Sequence, residues 1–186
     1  MGGFKWFLAR LFLPLTILGR DRRDLLSMGD ALVGVERVLL VLPLEEDTRR
    51  AVLPQVFAFD AAFPRWQIDL LFLGGEVPGG EGEGFRNMGV QEVSMEDVGT
   101  LGAPRKDLVG RLKESGYGLV IDLSMDEHPF VPYLLNRSGI PLRMGVNGAG
   151  RLRSRFYNLM VRLQGEDDVM GRLASTLGPI CRPDPA

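Results

Sequence analysis

The chain has very little cysteine or histidine, with one of each among its 186 residues. A single thiol, that of Cys181, excludes an internal disulfide framework and is typical of a reducing compartment. A single imidazole, that of His128, excludes metal sites that need several histidines. The sequence therefore predicts neither a disulfide-stabilised fold nor a metal or cofactor site.

An excess of positive charge is also absent, since 22 Lys and Arg residues face 24 Asp and Glu residues and the net charge is −2. No overall basic field exists to attract phosphates, so we expect no nucleic-acid partner. The apolar content of 45% and the charged content of 25% are ordinary for a globular protein. A chain of this length suits one domain with a sizeable core.

The apolar stretch at the N-terminus, Phe4–Leu18, is shorter than the ~20 residues that a membrane-spanning helix needs. Lys5, Arg10 and Pro14 interrupt it, and arginines follow at positions 20, 22 and 23. Aromatic residues with basic flanks are typical of segments that lie on an anionic membrane surface. Residues 1–24 are therefore predicted to be an attachment segment that contains an apolar helix.

Two other interpretations of the N-terminal segment remain open. The apolar residues could pack on the chain's own domain, on a partner protein or on a second copy of the chain. A secretory signal is less favoured, because no small-x-small cleavage pattern follows Leu18.

From residue 35 to residue 180, short apolar runs alternate with helical patterns. Strands are predicted at Glu36–Pro43, Gln67–Leu73, Val90–Met95, Tyr117–Leu123 and Leu142–Val146. Helices are predicted at Thr48–Phe63, Pro104–Ser115, Pro129–Arg137 and Val169–Leu177, with Gly178 ending the last one. This alternation predicts an α/β fold, a Rossmann-like parallel sheet of about five strands with helices on both faces. Residues 181–186 are predicted to form a tail.

Ligands of such sheets bind at the carboxyl ends of the strands, and polar residues follow the first strand at that place. Glu45, Glu46 and Asp47 precede Arg49 and Arg50. These residues could supply a general base and a charge clamp. An ordinary solvated helix start is the alternative, because acidic residues favour a helix N-terminus.

Polar residues also follow the fourth and fifth strands. Asp122 ends the fourth strand and His128 lies in the segment after it. Both could contribute to a site, or they could belong to an ordinary exposed turn. Arg151 begins a basic run after the fifth strand, which could receive an anionic group or lie in a solvated loop.

Several short motifs follow one another along the chain in a characteristic order. RVLLVLP, a helix ending in AAFP, and IDLLFLGG come first, and YGLVIDL, RMGV, RFYNLMV and VMGRLASTLG follow. From Arg37 to Leu177 this order resembles glycosyltransferase family 9, the heptosyltransferases. The resemblance implies the GT-B architecture of two Rossmann-like domains, of which this chain would contain the N-terminal one.

The chain departs from the family at positions that the family uses. A Gly-Asp pair follows the first strand in the family, and its aspartate is the expected general base. Here the pair falls on Asp47 and Thr48, so a threonine occupies the aspartate position and Asp47 is the remaining candidate catalytic residue. His128 stands where the family has a basic residue for acceptor phosphates. Asp168 and Gly171 stand where it has a histidine and a glutamate.

Family members build the inner core of lipopolysaccharide, so the resemblance implies a bacterial protein peripheral to the inner membrane on its cytoplasmic face. With these replacements we expect a non-catalytic domain that binds a saccharide, a lipid-linked saccharide or a protein partner. The alternatives are the acceptor half of a split glycosyltransferase and a structural subunit of a membrane-associated complex. The residues expected to bind substrate are Thr48, Arg49, Asp122, His128 and Arg151.

Overall fold

The computed structural model describes residues 28–74, 88–99, 102–124, 130–146, 156–162 and 168–181. The apolar helix predicted within residues 1–24 lies outside these ranges. Within them, no helix combines the length and the apolar character needed to cross a bilayer.

The elements follow one another as a strand–helix alternation. They are α1 (Met28–Val33), β1 (Arg37–Val41), α2 (Glu46–Ala62), β2 (Gln67–Phe72), β3 (Val90–Glu92), a 3₁₀ turn (Met95–Asp97), α3 (Lys106–Glu114), β4 (Leu119–Asp122), α4 (Phe130–Ser138), β5 (Leu142–Val146), β6 (Leu159–Val161) and α5 (Val169–Cys181).

The strands of the described residues form one six-stranded sheet in the order β3-β2-β1-β4-β5-β6, and every pairing is parallel. The predicted Rossmann-like α/β fold is thus confirmed. Strand β1 lies between β2 and β4, where Val38 is aligned with Ile68 on one side and with Leu119 on the other. Its near-continuous apolar sequence suits this position, because a central parallel strand is buried on both faces.

Alternate residues of the central strands supply two separate cores, because successive side chains of a strand point to opposite faces of the sheet. Val38 and Leu40 belong to the core that α1, α2 and α5 cover. Leu39 and Val41 belong to the core that α3 and α4 cover. Helices of the described residues therefore cover both faces of the sheet.

Four elements differ from the sequence prediction. The strand predicted at Val90–Met95 ends at Glu92, and Met95 begins the 3₁₀ turn. Helix α5 continues through Gly178 and Pro179 to Cys181, because Ile180 and Cys181 pack against the first core and tertiary packing outweighs the local signal to stop. Strand β6 was not predicted, since its three residues at the edge of the sheet, of which only Val161 is buried, are too few to show a period. Helix α1 was not predicted either, although its Leu32 is buried in the first core.

Candidate functional site

The candidate site is the crevice at the carboxyl ends of β1 and β4. From β1 the chain adds β2 and β3 on one side, and then crosses to add β4 on the other. Strand order reverses at this point, and in open α/β sheets the loops diverge there and leave a crevice for ligands. Val41 is aligned with Asp122 in the last register pair of β1 and β4. The turn after β1 and the turn after β4 therefore lie side by side.

The turn between β1 and α2 carries the candidate catalytic residue, Asp47, as an exposed side chain in the first turn of the helix. The Thr48 hydroxyl donates a hydrogen bond of 2.9 Å to the Glu45 carboxylate. Glu46 forms an exposed ion pair of 2.5 Å with Arg50. The catalytic role of Asp47 and the binding role of Thr48 stay predictions.

Arg49 differs from its neighbours because its side chain is buried, with only 4% of the residue exposed. It lies on the same face of α2 as Val52 and Val56, which pack in the first core. Its Nη1 donates long hydrogen bonds to the carbonyls of Pro43 (3.4 Å) and Leu44 (3.3 Å). These bonds hold the guanidinium at the carboxyl end of β1.

Part of the Arg49 guanidinium has no partner. Its Nε is buried and makes no hydrogen bond. The ion pairs of the described residues join other arginines, Arg37, Arg50 and Arg111, to carboxylates. A guanidinium carries five donors and is always charged, so Arg49 brings positive charge and unused hydrogen-bonding capacity to this edge.

Asp122 ends β4 as a fully buried carboxylate, with 0% of the residue exposed. The backbone N–H and the hydroxyl of Ser124 both donate to its Oδ1. The Tyr157 hydroxyl donates to its Oδ2. These bonds shape the turn after β4 in the manner of an Asx-turn. The hydrogen bonds described for Asp122 are made within the domain, and its contact with a substrate stays a prediction.

Tyr157 reaches Asp122 across β5, and a glycine makes that crossing possible. Gly145 is the register partner of Asp122. A Cβ atom at Gly145 would lie 3.0 Å from Cγ of Tyr157 and 2.7 Å from Sδ of Met160. Sequence reasoning did not assign Tyr157 or Gly145 to the site. The available signal was a glycine inside a buried strand, which often marks a close approach of another group.

A second buried polar cluster lies toward the amino ends of the strands. The Asp69 carboxylate accepts hydrogen bonds from Arg37 Nη2 (2.8 Å), the Tyr117 hydroxyl (2.8 Å) and the Gly89 N–H (3.0 Å). Gln91 Nε2 donates to the Tyr117 hydroxyl at 2.7 Å. Burial, and then the hydrogen bond and charge of Asp69, raise the pKa of Tyr117 well above its usual range. This cluster ties β1, β2 and β3 to the segment before β4.

The positions where the family has a histidine and a glutamate form the start of α5. The Gly171 N–H donates to Asp168 Oδ1 at 2.8 Å, so Asp168 caps the helix. A Cβ atom at Gly171 would lie 2.0 Å from Asp168 Oδ2. The Met170 N–H donates to Gln55 of α2 at 3.2 Å. These contacts give both positions a structural role.

The remaining predicted binding residues, His128 and Arg151, lie outside the described residues. Within the described ranges, no group of three or more histidine, cysteine or acidic side chains is arranged to hold a metal ion. Burial raises the pKa of the partly buried Cys181 thiol, which disfavours its nucleophilic thiolate form.

Comparison with models of known protein families finds no match, and a search of curated protein sequences finds no significant relative.

Proposed function

We propose that this chain contains a glycosyltransferase family 9-like domain that binds a saccharide at the carboxyl edge of β1 and β4 and does not transfer sugar by itself. The observation that carries the proposal is the turn between β1 and α2. Thr48 occupies the position of the family's aspartate, and its hydroxyl donates to Glu45. A threonine hydroxyl does not accept a proton near neutral pH, so this position cannot supply a general base.

The binding half of the proposal is supported by what the site retains. In support, the strand order reverses between β1 and β4, which is where open α/β sheets commonly bind ligands. Arg49 adds a buried cation at that place. A domain that has exchanged its expected base but keeps a cation beside the crevice is suited to binding an acidic or phosphorylated saccharide, such as a lipopolysaccharide inner-core acceptor.

Attachment to a membrane belongs to the same proposal. We infer that residues 4–18 place the domain on the anionic cytoplasmic face of the inner membrane, with a protein partner or a second copy of the chain as the alternative occupant. The support is compositional, namely an apolar aromatic stretch followed by arginines at positions 20, 22 and 23. A lipid-linked saccharide would lie on that same surface.

The test combines calorimetry with a product assay. ADP-heptose and other nucleotide sugars are expected to give no transfer to an inner-core saccharide acceptor. The acceptor is expected to bind and to shift backbone NMR signals of residues 42–49 and 122–124. Turnover that is lost in Asp47→Asn would identify Asp47 as a replacement base and refute the non-catalytic proposal. Acceptor binding that perturbs neither turn would refute the proposed site.

A further inference from the structure

A buried arginine at a strand's carboxyl end needs a compensating group. Moving a charged side chain out of water is unfavourable unless hydrogen bonds or an opposite charge replace its hydration. Arg49 has two long bonds to carbonyl oxygens, and its buried Nε has no partner. The Arg49 guanidinium is thus held in place, but not all of its hydrogen-bond donors have an acceptor.

The helix that carries Arg49 begins at the same place. Helix α2 is 17 residues long, and the side chain of its N-cap residue, Glu45, accepts no hydrogen bond from a backbone N–H group of the first turn. The first backbone bond of the helix runs from the Arg49 N–H to the Glu45 carbonyl. The N–H groups of Glu46, Asp47 and Thr48 precede that bond, so they have no carbonyl partner within the helix. Such N–H groups and the helix dipole favour an anion.

The acidic side chains of this turn oppose anion binding to different extents. Glu46 is already paired with Arg50, and Glu45 accepts the Thr48 hydroxyl. Asp47 is exposed, so solvent screens its charge. The buried Arg49 guanidinium is screened much less than these exposed carboxylates, and the buried Asp122 carboxylate at the same edge is already hydrogen-bonded to Ser124 and Tyr157.

We propose that the Arg49 guanidinium and the first-turn N–H groups of α2 form a subsite for the carboxylate or phosphate group of an acidic saccharide. Planar guanidinium donors match both kinds of oxyanion, which can accept two parallel hydrogen bonds. The oxyanion lies against the Arg49 guanidinium and occupies the positive end of the helix. This assignment rests on the proposed function for its acidic saccharide, and it adds the groups that hold the oxyanion, namely the Arg49 guanidinium and the first-turn N–H groups of α2.

The experiment is an NMR titration of the ¹⁵N-labelled full chain that follows the Nε–H signal of Arg49 and the amide signals of Asp47 and Thr48. The probes are inorganic phosphate, glucose 1-phosphate, glucuronate and neutral methyl glucoside. We expect phosphate and both acidic sugars to shift these signals. Arg49→Met should weaken phosphate binding by roughly 10-fold or more. Arg49→Lys keeps the positive charge but loses the planar guanidinium. Its phosphate affinity should lie between those of the unaltered chain and Arg49→Met.

Arg50→Met is the matched control, since Arg50 is the adjacent arginine but is exposed and paired with Glu46. It should weaken phosphate binding by less than about 3-fold. Asp47→Asn should tighten phosphate binding, because it removes a neighbouring negative charge. If Arg49→Met does not fold, the titration of the unaltered chain still decides the question.

The outcomes separate this inference from the proposed function. If phosphate leaves the Arg49 Nε–H signal unmoved, the subsite is refuted. If methyl glucoside binds as well as the acidic sugars and Arg49→Met changes neither, the subsite is refuted while saccharide binding stands. If phosphate moves the Arg49 signal and no saccharide binds, the oxyanion subsite stands and the saccharide proposal fails.

Discussion

At the scale of single residues, two buried charged side chains at the carboxyl edge of the sheet, Asp122 and Arg49, differ in how fully they are hydrogen-bonded. Both oxygens of Asp122 accept hydrogen bonds from Ser124 or Tyr157. The Nε of Arg49 has no partner. A buried polar group that is fully hydrogen-bonded stabilises a local shape, whereas one with unused capacity is suited to a ligand. Asp122 therefore positions the turn after β4, and Arg49 is the group to test for binding.

We predict that Tyr157→Phe destabilises the fold, because it removes a donor from the buried Asp122 carboxylate. The free energy of unfolding should fall by about 1–3 kcal/mol, measured by urea denaturation. Tyr133→Phe is the control, since its hydroxyl accepts an exposed hydrogen bond of 3.4 Å from Arg137 Nη1. That change should cost less than about 0.5 kcal/mol. Equal effects of the two variants would contradict the assigned role of Tyr157.

Two glycines should respond to alanine with opposite signs. Gly145→Ala would place a Cβ 3.0 Å from Tyr157 Cγ and should destabilise the fold by about 1–3 kcal/mol. Gly110 lies inside α3 with open space around the position of a Cβ. Gly110→Ala should therefore stabilise the fold by about 0.5–1 kcal/mol, because alanine favours helix. Thermal unfolding of both variants checks the signs, and a neutral Gly145→Ala would show that Tyr157 does not cross the strand as described.

At the scale of elements, side chains join parts of the chain that are distant in sequence. Asp69 of β2 connects Arg37 of β1 with Tyr117, which precedes β4, and Tyr117 accepts from Gln91 of β3. Arg37 also lies 5.1 Å from the centre of the Tyr117 ring, a cation–π contact. The side chains of this cluster therefore join β1, β2 and β3 to the segment before β4, away from the candidate site at the carboxyl ends of the strands.

The raised pKa of Tyr117 predicts a loss of stability at alkaline pH. Tyrosine ionises near pH 10 in the unfolded chain, whereas burial and Asp69 hold the folded form neutral to higher pH. Above about pH 10 the folded state binds more protons than the unfolded state. The contribution of Tyr117 to the free energy of unfolding is therefore fully present below about pH 10 and falls as the pH rises above it. The difference in unfolding free energy between the unaltered chain and Tyr117→Phe should stay constant up to about pH 10 and shrink at higher pH. A difference that stays constant at higher pH as well would contradict the shift.

Helix α5 offers a second prediction at this scale. Asp168→Ala removes the oxygen that accepts the Gly171 N–H and should cost about 1 kcal/mol of stability. Asp168→Asn keeps an acceptor and should cost much less. Urea denaturation of both variants compares them, and equal losses would show that the cap hydrogen bond is not the source of the effect.

At the scale of the whole molecule, a Rossmann-like domain is combined with an N-terminal stretch of different composition. The strand order reverses between β1 and β4, the place where open α/β sheets commonly bind ligands. The stretch at residues 4–18 would expose a large apolar area in water, and such areas usually mark an interaction site. Attachment and ligand binding would thus be separate properties of separate parts of the chain.

We predict that the intact chain floats with liposomes containing anionic lipid, and that a version lacking residues 1–24 does not. Each arginine at positions 20, 22 and 23 should contribute roughly 1 kcal/mol near anionic lipid. Flotation should therefore decrease as salt rises. Self-association of the intact chain without lipid binding would replace the membrane proposal with a second copy as the occupant. Identical behaviour of both versions would refute any attachment role.

The sequence by itself determined the strands that are buried on both faces and the fold class that they imply. The strands at Glu36–Pro43 and Tyr117–Leu123 were predicted because apolar runs typical of buried parallel strands are a local property of the chain. The same reasoning placed Asp47, Thr48 and Arg49 after the first strand. Strand β6 was missed, because a short, half-exposed edge strand has no such pattern.

Only the tertiary structure decided which of the polar residues differ in burial and in partners. Arg49 and Arg50 are neighbours in sequence, yet one is buried and the other is exposed, because only the phase of α2 against the sheet distinguishes them. Tyr157 is paired with Asp122 across 35 residues of sequence. That contact depends on the order of the strands and on the absence of a Cβ at Gly145, and neither is encoded in the local pattern around the two residues.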